Sequence, residues 1–480
     1  MSLETRSTTF PQQVRVARAD ANLQQALGKL KFGLTAMRGA AVAKLPEFEQ
    51  LRHDAAAIRD HTLNHLDHYL LRFEAAAKAR GGHVHFAPDA AAANAIVLEI
   101  CRSVDARKVT KGKSMVTEEI ELNAHLEAHG ITCLETDLGE YIVQLRKERP
   151  SHIVAPAIHV LKEQVAETFA AHHGPALAGG RSEPAALMAE ARAVIRRHFL
   201  EADVGITGAN FAIAETGSTV IVTNEGNGDL TQSLPKVHIA VTGIEKIVPT
   251  LEDASTLIRL LSRSATGQEA SVYNTFSSGP RRPEDPDGPE AFHVVLVDNG
   301  RSSMLGSVFQ DMLRCIRCGA CMNHCPVYGQ VGGQAYGSVY PGPMGAVLTP
   351  SLAGIEVAGH LPNASTFCGA CEAVCPVRIP LPKLMRHWRE REFEAGLAPS
   401  ASRFGLALWG FAARRPWLYR LLSRAAATLL ARLGGRRGYL ARLPLGRGWT
   451  AWRDLPAPAG VTFQAAYRRR RGGDADAGKG

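Results

Sequence analysis

Seven of the nine cysteines in this 480-residue chain fall into two short runs. The first reads Cys315-x2-Cys318-x2-Cys321-x3-Cys325-Pro326 and the second Cys368-x2-Cys371-x3-Cys375-Pro376. Thiolates are soft donors that suit iron–sulfur clusters. A three-residue step lets successive thiolates converge from one tight loop, whereas a fourth cysteine set further on and followed by proline reaches a neighbouring cluster. This spacing predicts two four-iron clusters. Cys315, Cys318, Cys321 and Cys375 are expected to hold one, and Cys325, Cys368 and Cys371 the other. The chemistry implied is transfer of single electrons.

The second run is one donor short, because Ser365 stands where a cysteine would complete the pattern of the first. Its fourth donor is open between the Ser365 oxygen, a residue remote in sequence, a thiolate from a partner and none at all, the last leaving a three-iron or labile cluster. Paired CxxC units also suit tetrahedral zinc, but a three-two-three chain closed by Cys-Pro is the iron–sulfur pattern. Disulfides belong to oxidising compartments, and nothing here marks export. Cys101 and Cys133 are isolated and are expected to be buried, reduced thiols.

The surrounding sequence has to position these donors. Residues 12 to 70 carry helical periodicity, with Leu23, Ala26 and Leu27 on one face and Ile58, Leu63, Leu66 and Leu70 on a later one. They predict a helical arm that docks on the rest. His61, His65 and His68 share a helical face but have no cysteine partner nearby, so they are read as ordinary helix residues. From 71 to about 300 short β-type runs alternate with helical stretches, the pattern of an α/β layer fold. Strands are expected at 84–86, 131–134, 219–223, 237–241 and 293–297, and a helix over Ala90–Cys101. Thr250 followed by Glu252 and Asp253 predicts a helix start. Gly205 to Gly228 reads as strand, tight turn at Glu215-Thr-Gly-Ser218, strand and second glycine turn; its glycines serve either a ligand pocket or a plain hairpin. Ser278 to Pro289 has the composition of a surface loop. Neither GxGxxG nor GxxxxGK[ST] occurs, so no resident nicotinamide, nucleotide or flavin site is expected.

Val327 to Asn363, between the cysteine runs, is glycine-rich and is expected to wrap the clusters. Arg314 and Arg317 flank the first ligands, placed to raise a cluster's potential, to receive an acidic partner, or simply to be solvated. A helix is expected to leave the cluster region at about Leu381. The formal charge of +9 is unevenly spread: residues 396–480 hold 16 Lys and Arg against 3 acids, a local +13, so the other 395 residues sum to 9 − 13 = −4. There Leu418, Leu422, Ala425, Leu429 and Leu433 share one helical face, with Arg420, Arg424 and Arg432 on another. Such a helix packs on its own domain or docks on an anionic membrane surface or an acidic partner. Nucleic acid is not expected beside iron–sulfur sites. Arg468 to Gly480 has the composition of a disordered end. With no signal-type N-terminus and no long apolar run, the chain is expected to be cytoplasmic, with a peripheral place at the inner membrane face left open.

Several stretches together resemble the lactate-utilisation iron–sulfur protein B family. They are Lys113-Ser-Met-Val-Thr-Glu-Glu119, Thr136-Asp-Leu-Gly-Glu-Tyr141, Pro150-Ser-His-Ile153, Gly208 to Gly228, Asp298-Asn-Gly-Arg-Ser302 and both cysteine runs. The resemblance covers nearly the whole chain. It implies a helical arm (1–70), an α/β LUD domain similar to the NagB/RpiA/CoA-transferase group (71–303), an α-helical ferredoxin-type two-cluster domain (304–395) and a basic helical extension (396–480). It also implies LutA-like and LutC-like partners and a part in oxidising L-lactate to pyruvate, with the same cysteines as ligands and three at the second cluster. The leading expectation is thus an electron-transfer subunit that passes electrons to an acceptor protein or a membrane-associated acceptor. A second reading makes the LUD domain a catalytic or carboxylate-binding site around Glu215, Lys113 and Glu118. A third makes the clusters a structural scaffold that never changes oxidation state.

Overall fold

Runs such as Val237-His-Ile-Ala-Val-Thr-Gly243 and Ala291-Phe-His-Val-Val-Leu-Val297 offer no polar face to water, and both become strands covered on two sides. The computed structural model describes residues 5–112, 114–174, 182–443, 446–450 and 453–477. The chain divides into two units, Met1–Ala395 and Gly396–Gly480. In the first unit the strands are β1 (His83–Ala87), β2 (Lys108–Gly112), β3 (Thr132–Glu135), β4 (Val204–Thr207) and β5 (Phe211–Ile213). They continue with β6 (Ser218–Thr223), β7 (Val237–Gly243), β8 (Ile247–Val248), β9 (Tyr273–Ser277) and β10 (Ala291–Val297).

Six of them form an all-parallel sheet in the order β1-β10-β7-β4-β2-β3, and a smaller sheet runs β8-β5-β6-β9. The α/β expectation thus holds, and the strands expected at 84–86, 131–134, 219–223, 237–241 and 293–297 are β1, β3, β6, β7 and β10. The hairpin expected at Glu215–Ser218 joins β5 to β6, pairing Ile213 with Ser218. Its Gly217 has φ +66°, and a Cβ there would collide with the Ala77 backbone, so both conformation and space require glycine. Short polar side chains start the helices behind the sheet. Ser114 Oγ accepts from Thr117 N–H, Asp137 from Gly139 and Glu140 N–H, and Thr250 Oγ from Asp253 N–H.

The arm consists of the helices Phe10–Ala19, Ala21–Phe32, Leu34–Ala43, Phe48–Asn64 and Leu66–Ala79. It docks, as expected: Ala17, Leu27, Phe48 and Ala55 share one core with Phe211 and Val220 of the small sheet and with Met312, Tyr328 and Leu384 of the cysteine region. Arg59 is almost fully buried and donates to the carbonyls of Glu245, Ile247 and Leu313. His61 Nε2 hydrogen bonds to the Tyr69 hydroxyl and His65 Nδ1 to the His61 carbonyl. These histidines therefore serve the helix.

A buried ionic network joins the large sheet to the cysteine region. Arg301, with no exposed side-chain surface, meets Glu119 at 2.6 Å and Glu245 at 2.7 Å. Asn299 Nδ2 and the Tyr340 hydroxyl also donate to Glu119, and Arg317 reaches Glu245 at 3.4 Å. Burial alone would raise Glu245, but Arg301, Lys246 and Arg317 overcome it and hold the carboxyl at about 2; Glu119 is lowered by Arg301 in the same way.

In the second unit, helices span Ser400–Ala413 and Pro416–Gly434, and Tyr439–Leu440 pairs antiparallel with Leu455–Pro456. The basic helix expected from Leu418 onward lies within Pro416–Gly434 and exposes Leu422, Leu429 and Leu433. Where composition predicts disorder after Arg468, the structure carries a helix over Phe463–Ala477, continuous with the helix-forming Phe463-Gln-Ala-Ala-Tyr467 before it. Residues 478–480 lie outside the described residues. Among those described, no helix is long and apolar enough to cross a membrane.

Replacing Arg301 with methionine strands two buried carboxylates, so we expect a loss of about 3–5 kcal/mol in chemical denaturation at neutral pH. In the wild type the depressed carboxyls stabilise the fold above the ordinary carboxylate range, and that contribution is lost as pH falls towards about 2. In the variant the same carboxyls lose their strongest opposing charge, so burial moves them up relative to the wild type. The difference between the two proteins is therefore expected to shrink on acidification.

Candidate metal centres

Each cysteine run folds into the same local device. A residue with positive φ precedes the second cysteine position (Arg317, +61°; Phe367, +53°), and a left-handed glycine follows it (Gly319, +74°; Gly369, +81°). One helical turn then carries the third cysteine, over Ala320–Asn323 in the first run and Ala370–Ala373 in the second. Left-handed backbone turns the thiols inward from a very short segment.

The thiols line two small cavities. Cys315, Cys318 and Cys321 share the first with Cys375 from the other run. Cys325 shares the second with Cys368, Cys371 and Ser365. The cavities thus divide the seven cysteines as the spacing rule does. Backbone amides point at the sulfurs: Arg317 N–H donates to Cys315, Tyr328 N–H to Cys325 and Ile379 N–H to Cys375, each at 3.4 Å. Burial, and then the neighbouring Cys375 thiol, push Cys318 up to about 12, while burial leads in holding Cys371 at about 12 and Cys375 at about 11. Thiols crowded in a dry site need a cationic core before they ionise. Among the described residues no three donors are grouped to hold a single metal ion; the sulfurs surround a volume. This donor set fits four-iron clusters.

Several residues that support these loops carry no sequence signal of their own. Arg52 donates to the carbonyls of Cys375 and Ala373, Arg38 to that of Val374, and Lys246 Nζ to that of Cys315 at 2.7 Å. They lie 60 or more residues from their targets, and only the fold joins them. The Pro150-Ser-His-Ile153 stretch is a latch. Ser151 O accepts from the Tyr328 hydroxyl, Ser151 Oγ from Gly333 N–H, and His152 pairs with Asn323 at 2.9 Å. Burial lowers His152 to about 4; its Nδ1 accepts from Val154 and Ala155 N–H, leaving Nε2–H to donate to Asn323.

A larger cavity of about 330 Å³ opens beyond the carboxyl ends of the parallel strands, where ligands of α/β sheets commonly bind. Ser114, Asn210, Thr242, Lys246 and Arg317 line it, and it shares Ile153, Ile316 and Arg317 with the first thiol-lined cavity. Gly208 and Glu225 of the glycine-rich hairpin are among its walls. Glu215 is not, because it caps a helix by accepting from Leu251 N–H. Glu118 is not either: it pairs with buried Lys111 at 2.6 Å. Lys113 lies outside the described residues. The structure therefore does not gather Glu215 and Glu118 into one site. The two arginines flanking the first ligands also differ from a solvated pair. Arg314 binds Asp60 and Asp311, whereas Arg317 is largely withdrawn from solvent with its guanidinium 4.6 Å above the Tyr340 ring.

An α/β LUD domain joined to a four-iron dicluster domain is the class these features define, and residues 70–297 and 311–379 match the LUD domain and 4Fe-4S dicluster domain families. Residues 391–472 match the family described as lactate utilisation protein B, C-terminal. The Lactate utilization protein B of Bacillus pumilus (strain SAFR-032) is 44% identical over 473 residues, 98% of this chain and 99% of that one. That of Shouchella clausii (strain KSM-K16) is 46% identical over 474 residues, with the same coverage. A relative from Escherichia coli (strain K12), titled uncharacterized electron transport protein YkgF, is 43% identical over 477 residues and 98% of each chain. The chain belongs to the lactate utilization protein B family.

Outside the two runs, Cys101 and Cys133 are buried, and burial pushes Cys101 up to about 12. Iodoacetamide at pH 8 is expected to leave both unmodified in the native protein and to label them after denaturation, read by peptide mass. Labelling of either in the native state would contradict their place in the core.

Proposed function

We propose that this chain is the iron–sulfur electron-transfer subunit of a complex that oxidises L-lactate to pyruvate. The observation that carries the reading is the pair of thiol-lined cavities, each built from both cysteine runs. Cys315, Cys318, Cys321 and Cys375 would hold one four-iron cluster, and Cys325, Cys368 and Cys371 would bind the other. Bound clusters of this kind accept and release single electrons, and lactate oxidation releases two.

The chain's own residues hold the two sites at fixed spacing. Cys325 and Cys375 cross between the runs, so neither loop can move without the other. Backbone amides from Arg317, Tyr328 and Ile379 stabilise negative charge on sulfur, and the packed Tyr328, Tyr336 and Tyr340 keep water away. The names of the relatives, lactate utilization and electron transport, agree with this role. LutA-like and LutC-like subunits would supply and receive electrons, with an acceptor protein or a membrane-associated acceptor beyond them. The exposed apolar residues and arginines of the C-terminal unit suit docking at an anionic surface.

A second reading is favoured by the large cavity. Its shared wall with the first thiol-lined cavity suits a carboxylate-bearing ligand held by Lys246 and Arg317 rather than by Glu215 or Glu118. Lactate that changes the EPR spectrum of the isolated subunit would support this reading; an unchanged spectrum would leave substrate chemistry to the partners.

Anaerobic purification followed by iron, acid-labile sulfide and EPR measurements tests the leading reading. About eight irons with matching sulfide are expected, and about seven would indicate a three-iron second site. Cys371→Ser should change one cluster's spectrum and spare the other. Zinc without sulfide or an EPR signal would overturn the proposal.

A further inference from the structure

The second thiol-lined cavity has three cysteines, and the aliphatic hydroxyl residues that share its lining with them are Ser365 and Thr366. We propose that the Ser365 oxygen is the fourth protein donor to the cluster bound there. This rests on the reading of both cavities as four-iron sites.

The case is one of structural equivalence. Cys315 and Ser365 each stand three residues before the next cysteine of their run. Cys315 Sγ accepts from the amide two residues on, Arg317 N–H, at 3.4 Å. Ser365 Oγ accepts from its own i+2 amide, Phe367 N–H, at 3.1 Å. Both i+2 residues are left-handed, at +61° and +53°. Even the carbonyls are held alike: Lys246 Nζ donates to Cys315 O at 2.7 Å, and Arg389 Nη2 to Ser365 O at 2.8 Å. Arg389 also binds Pro362 O and lies 4.1 Å above the Phe367 ring, so the loop carrying Ser365 is clamped from both sides.

Chemistry agrees with position. Among the described residues nothing accepts the Ser365 hydroxyl proton. Coordination would replace the O–H bond with an O–Fe bond, release one proton to solvent and change no oxidation state. An alkoxide is a harder donor than a thiolate and favours ferric over ferrous iron, so the second cluster would sit at a lower potential than an all-cysteine one. The chain would thereby set two sites of similar architecture at different potentials.

The test compares the full-length wild type with Ser365→Cys, Ser365→Ala and the reciprocal Cys315→Ser, all prepared anaerobically. Iron and sulfide content and EPR-monitored redox titration are the readouts. Ser365→Cys is expected to retain about eight irons and raise one cluster's potential, Cys315→Ser to lower the other's, and Ser365→Ala to lose about one iron per chain. A Ser365→Ala protein with about eight irons and wild-type potentials would overturn the assignment. Should that variant fail to fold, an unmoved potential in Ser365→Cys would overturn it equally. A wild type without iron and sulfide would instead remove the four-iron reading beneath it.

Discussion

The rest of the first unit depends on how the Arg301 charge is accommodated. A buried guanidinium is tolerable only when its charge is met, and Glu119 and Glu245 meet it from two different segments, Glu119 with two hydrogen bonds as well. Those carboxylates also engage Tyr340 and Arg317, which belong to the cysteine region. Lys246, the neighbour of Glu245, holds the Cys315 carbonyl. The charges that fasten the loops at the sheet's edge thus also place the first cysteine. Motion of the sheet relative to the thiols would expose unpaired charge in a dry interior, and this cost makes the two parts one body.

Rigidity of this kind suits electron transfer, in which rate depends on distance and on small reorganisation. The two cysteine runs repeat one backbone device, and Cys325 and Cys375 each line the cavity of the other run, where bound clusters would tie the repeats together. Their surroundings differ. The first cavity is enclosed by Ile153, Met344 and Leu381 and adjoins the large cavity of the α/β domain, while the second is walled in part by exposed Thr366, Phe367 and Cys368. One site therefore adjoins the large cavity of the α/β domain and the other faces solvent.

Much of this was legible in the sequence. Cysteine spacing foretold the division of thiols between the cavities, since a ligand rule based on short loops depends only on local geometry. Continuous apolar runs foretold β7 and β10, and Thr250 marked a helix start through its own side chain. Long-range pairings were not legible. Nothing near Arg52, Lys246 or Ser151 signals that each would hold a cysteine-region backbone group, because those contacts exist only after the arm and sheet have packed. Glu215 and Glu118 looked like site residues for their place in glycine-rich or charged motifs. The fold uses the first as a helix cap and the second as a partner for a buried lysine. The Asp298-Asn-Gly-Arg-Ser302 stretch shows the reverse: marked in sequence only by its family resemblance, with no chemistry assigned to it, it carries the arginine on which the interior charge balance rests.

The most direct test of the electron-transfer account is an EPR-monitored redox titration of the purified chain across the physiological range. The account predicts two reversible one-electron reductions whose signals broaden when both sites are reduced, as neighbouring spins require. Clusters that stay in one oxidation state throughout, or that bleach irreversibly on first reduction, would contradict it and leave them a structural staple.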